Sequence, residues 1–161
     1  MRHEHKLIVA LAALCVAGAS NAADTNRQRD VAQRGAQVMP FDLEQTTHLF
    51  RRLKDGGLER VTANDPKNHE QIALIRQHLE QEAERFGRGD FSDPARIHGS
   101  DMPGLAELAQ GASRMTVRYR ELADGAEIRF ATNDPQLIEA IRRWMQAQLA
   151  DHGKHAVPHA R

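Results

Sequence analysis

The sequence predicts an α+β fold on three observations. A segment recurs after 69 residues, each copy carries a hairpin turn signal, and each hairpin leads through Asn-Asp-Pro into an apolar helical stripe. Sliding the chain by 69 positions aligns residues 47–77 with 116–146 without a gap. Twelve of those 31 positions are identical, where unrelated segments of ordinary composition share about two. A period of this length marks a repeated supersecondary unit.

In the first copy, residues 46–53 alternate, with His48 and Phe50 on one face and Thr47, Leu49 and Arg51 on the other. Asp55-Gly56-Gly57 supplies a tight turn with positive φ, and residues 58–63 return as a second strand. Asn64-Asp65-Pro66 then caps a helix, with Pro66 at its first position, where a missing N–H costs nothing. Ile72, Ile75, Leu79, Ala83 and Phe86 recur at spacings of three and four. The second copy places strands at 115–122 and 126–132 around Asp124-Gly125. Its cap is Asn133-Asp134-Pro135, and its helical stripe is Leu137, Ile141, Trp144 and Met145. An isolated hairpin is marginal in water. The two ββα units are therefore expected to pair as a four-stranded antiparallel sheet with two helices on one face.

Residues 1–22 read as an export signal. Arg2 and Lys6 precede an eleven-residue apolar run, Leu7 to Ala17, and Ser20-Asn21-Ala22 provides a cleavage site. The run is too short to cross a bilayer. Cys15 falls inside it, so the mature chain would contain no cysteine, and disulfides, thiolate zinc sites and cysteine nucleophiles drop out. Residues 23–37 are expected to be a flexible leader, 38–150 the single domain, and 151–161 a disordered histidine-containing tail broken by Gly153 and Pro158. The expected location is the periplasm or the cell exterior. The 22 basic and 22 acidic side chains cancel, which offers no long-range attraction to nucleic acid or an anionic membrane.

The insert between the copies, residues 87–112, breaks the symmetry and is expected to hold two short helical turns, at 94–99 and 103–110. It contains Gly89-Asp90-Phe91-Ser92-Asp93-Pro94, then His98-Gly99-Ser100-Asp101-Met102-Pro103-Gly104-Leu105. With these residues the chain resembles a group of short exported bacterial proteins of unassigned activity that share a G-D-F-x-D-P…H-G-x-x-M-P-G-L core. The resemblance spans residues 39–153. Proteins of this group are sometimes labelled aspartate carbamoyltransferase. That label is not supported here: the Ser-Thr-Arg-Thr phosphate loop, the His-Pro-x-Gln element and the four zinc-binding cysteines of the regulatory chain are all missing. The resemblance implies a small exported domain and assigns no catalytic residues.

The histidines are the most informative polar set. His78 and Glu82 share a helix side one turn apart, and Met102 follows His98 by four residues in the insert. His78, Glu82, His98 and Met102, with His48 from the first strand, make a candidate metal site. Imidazole with thioether suits copper, and imidazole with carboxylate suits zinc. Each also has a plainer reading: Met102 as a core plug, His98 as a turn cap, His48 as a half-buried strand residue, and His78/Glu82 as a surface pair. Three functions follow. One is a binding module for a transition metal such as copper. Another is a non-catalytic domain that docks a periplasmic protein through the insert. The third is a small hydrolase with His98 as general base, oriented by Asp90, Asp93 or Asp101; it lacks an evident nucleophile or oxyanion hole.

Overall fold

A computed structural model describes the backbone of residues 15–158 and the side chains of 22–158. Most of the predicted export signal lies outside the described residues. The element order is α1 (Cys15–Gly35), β1 (Thr46–Leu53), β2 (Gly56–Ala63), α2 (His69–Gly87), α3 (Ser92–His98), α4 (Leu105–Gly111), β3 (Thr116–Leu122), β4 (Gly125–Ala131), α5 (Pro135–His152) and β5 (Ala156–Val157). The class is α+β, as the pattern predicts. The sheet differs from expectation: it has five strands in the order β3-β4-β2-β1-β5, and β5 runs parallel to β1, so it is mixed.

The two hairpins meet along β2 and β4, antiparallel, and Glu59 pairs with Ile128. These two residues are repeat equivalents, 69 positions apart. The helices of the two units, α2 and α5, cover the same face. α2 packs on β3 and β4, and α5 packs on β1 and β2, so each helix covers the other copy's hairpin. Both predicted stripes are buried, with Trp144, Ile75, Ile141 and Phe130 completely enclosed. Gly57 permits the close approach of α5, since a Cβ there would stand 2.7 Å from Ile141 and 3.0 Å from Met145.

Three local expectations change. α2 begins at His69 rather than at Pro66: Asn68 caps it by accepting from the Gln71 N–H, while Asp65 is occupied by the Lys67 N–H. The second copy does start at its proline, with Asp134 accepting from Gln136 and Leu137. Residues 23–35 are helical rather than a loose leader, with Val31 in the core. The chain's end is ordered through residue 158: α5 continues to His152, which is 7% exposed, and β5 joins the sheet. In the insert both short helices form, and Phe91, Ile97, Met102, Leu105 and Leu108 are spent in the core.

Candidate functional site

Where α2, α3 and α5 converge over β2, they line a small cavity of about 40 Å³. At roughly 10–15 Å³ per water, this is room for an ion or a few waters; organic ligands need several hundred. Its polar lining is His78 and Glu82 from α2, Asp93 and His98 from α3, Gln148 and His152 from α5, and Glu59 from β2. Met39, Leu79, Phe86, Ile97 and Ile128 complete it with apolar atoms.

His98 is 2% exposed at the last turn of α3. Its Nδ1 stands 2.9 Å from Asp151 Oδ2. An ionised carboxylate only accepts, so Nδ1 carries the hydrogen and donates to Asp151. Asp151 is held in turn by Arg27 of α1, at 2.5 Å and 2.7 Å. Burial raises the Asp151 carboxyl, but the hydrogen bonds from His98 and Arg27 outweigh it and leave the group below its ordinary value. Arg27 also donates to the His98 carbonyl and Arg34 to the Ile97 carbonyl, so α1 caps the end of α3.

The His152 ring lies 5.3 Å from that of His98 and 4.5 Å from that of His48, stacked on the latter. Burial holds His152 well below its usual range. Burial, reinforced by neighbouring histidines, lowers His48 to about 3. His78, edge-on to Phe41, is lowered by burial to about 4. The carboxyls move oppositely. Burial with the Glu82 charge lifts Glu59 to about 8. Burial with repulsion from Asp93 lifts Glu82 to about 7, against the pull of Arg85. Arg85 bridges Glu82, Asp90 and Asp93. Gln148 is 4% exposed, and neither its Oε1 nor His48 Nδ1 has a hydrogen-bond partner among the described residues.

Of the predicted set, His78, Glu82 and His98 come together around the cavity. His48 stands one ring behind, against His152. Met102 is absent from the lining and packs in the apolar core, because the turn that links α3 to α4 directs it there; it is not a fourth donor at this site. The carboxylate that orients His98 is Asp151, not Asp90, Asp93 or Asp101. Sequence reasoning missed Glu59, Gln148 and Asp151, and it expected His152 to lie exposed in a disordered tail, whereas it is buried. Their signal was in the repeat itself: Glu59 replaces the equivalent of Ile128, Gln148 that of Leu79, and His152 that of Ala83. Among the described residues, no group of three or more His, Cys, Asp or Glu is arranged to hold a metal ion, and no helix is long and apolar enough to cross a membrane. No protein-family model, curated protein or solved structure matches the chain.

Proposed function

We propose that this protein is an exported, non-catalytic binding module that takes one transition-metal ion, zinc or copper(II), into the cavity lined by His78, His98, His152, Glu59 and Glu82. The observation that carries the reading is the convergence of three imidazoles, three carboxyls and an amide oxygen without a partner among the described residues on a space of ion size. Burial keeps His78 and His152 in the neutral form that ligates. The Asp151–His98 hydrogen bond is the outer-shell arrangement that orients a metal-ligating histidine. Two imidazoles on one tetrahedral ion hold their ring centres about 5 Å apart, given bonds near 2.0–2.1 Å, and His98 and His152 stand at 5.3 Å. The third and fourth ligands come from rotation of His78, Glu59 or Glu82. A nitrogen and oxygen donor set without Met102 favours zinc or copper(II) over copper(I). The cavity's size favours binding over hydrolysis by His98. The two ββα halves are inferred to descend from one duplicated unit, which the Glu59–Ile128 pairing supports.

Calorimetric titration of the full chain with Zn(II), Cu(II) and Cu(I) tests the reading. One equivalent of zinc or copper(II) is expected. Binding should weaken by about tenfold or more in His98→Ala, and persist in a His155→Ala/His159→Ala variant. Absence of binding, or equal loss in the tail variant, overturns it.

A further inference from the structure

The sheet face opposite the helices carries a second feature, independent of the cavity. Strand register places Arg51, Leu58, Arg129 and Arg118 in one row across β1, β2, β4 and β3. The next row is Leu49, Arg60, Glu127 and Arg120. Five guanidiniums thus share this face with one carboxylate in the two rows. Glu127, 6% exposed, is held between Arg60 at 2.7 Å and Arg120 at 2.5 Å. Arg129 reaches Asp55 in the β1–β2 turn. Arg51 and Arg118 are exposed, and neither forms an ion pair among the described residues.

The two edges of the sheet are unequal. β5, only two residues long, ends one side; β3, with seven residues, ends the other. An open edge presents unpaired backbone N–H and C=O groups and invites another strand. Along β3, Arg118 and Arg120 project to the open face, while Val117 and Tyr119 pack against the core on the helix side. A second copy docking antiparallel on this edge would set arginines beside arginines, which is unfavourable. The same charges attract carboxylates in bidentate geometry.

We propose that the β3 edge accepts an extended, acidic polypeptide segment of another protein, added as a sixth strand. Its alternate carboxylates meet Arg118 and Arg120, and its apolar residues lie beside Val117 and Tyr119. The test is fluorescence anisotropy of a dye-labelled eight-residue peptide of alternating Glu and Val, titrated with the full chain at low salt. Saturable binding is expected, with slowed amide exchange in β3. Arg118→Glu should weaken it about tenfold or more, and Arg51→Glu, three strands away, by less than about twofold. Both side chains are exposed, so both variants keep the fold, which circular dichroism verifies. No saturable binding, or equal weakening in the two variants, overturns the proposal. So does tighter binding of a single-stranded oligonucleotide or a phosphatidylglycerol vesicle than of the peptide.

Discussion

Glu59 sits on the core side of a central strand, where its repeat partner Ile128 is apolar, and its carboxyl is raised from 4.5 to about 8. The folded protein therefore keeps a proton that the unfolded chain gives up above pH 4.5. That stability is complete below pH 4.5 and is lost as pH rises through about 8. Glu59→Gln cannot ionise. In urea unfolding it should match the parent near pH 4 and exceed it at pH 8 by on the order of 1–3 kcal/mol; an equal difference at both pH values would show that Glu59 is not held protonated. Asp151 is the second residue with a defined task. Asp151→Asn leaves both His98 Nδ1 and Arg27 without their carboxylate. A loss of about 1–3 kcal/mol of stability is expected, with zinc or copper(II) affinity lower by about 10–100-fold. Unchanged affinity in a folded variant would remove Asp151 from the proposed site.

Among the elements, α5 and α1 depend on particular contacts. α5 approaches β2 at Gly57, and Gly57→Ala would push against Ile141 and Met145. Overpacking of this kind costs about 1–3 kcal/mol, read from the denaturation midpoint. The equivalent position in the second copy is Ala126, fully buried beneath the other helix. Hence the two crossings are not interchangeable although the sequences repeat. α1 is held through Arg27 and Arg34 on the last carbonyls of α3. In an Arg27→Ala protein, amide exchange should accelerate in α1 and at the end of α3 and stay unchanged in β2 and β4. Uniform acceleration would mean that α1 is no separate unit.

Burial at and behind one cavity favours the neutral form of three histidines and the protonated form of two carboxyls. His48 and His78 are lowered to about 3 and about 4, and His152 also lies well below its ordinary value. Their contribution is complete above pH 6.5 and is lost as pH falls toward 4 and 3, at up to about 1.4 kcal/mol per pH unit for each histidine. Glu59 and Glu82 act in the opposite sense, losing their contribution as pH rises through about 8 and about 7. Denaturation midpoints should therefore peak near about pH 6.5, fall steeply below about pH 4.5 and decline gently toward pH 8. A flat profile from pH 4 to 8 would contradict the burial of these groups.

The local pattern was strong enough to determine the two ββα units, the buried stripes Ile72–Phe86 and Leu137–Met145, and the two helical turns of the insert. Turn chemistry, capping and periodicity are properties of neighbours in the chain. His78, Glu82 and His98 were legible because each is a polar residue at a helical or turn position with defined spacing. What only the tertiary structure decided is how distant segments meet. The helices cross onto each other's hairpins, and the chain's end returns to pair with β1. A residue four positions from His98 turns into the core, while Asp151, 53 positions away, becomes its partner. Gly153 and Pro158 suggest a loose end, since helix breakers report local propensity alone. The burial of His152 against His48, with the pairing of β5, overrides them, because those contacts exist only once the sheet and α5 have been assembled.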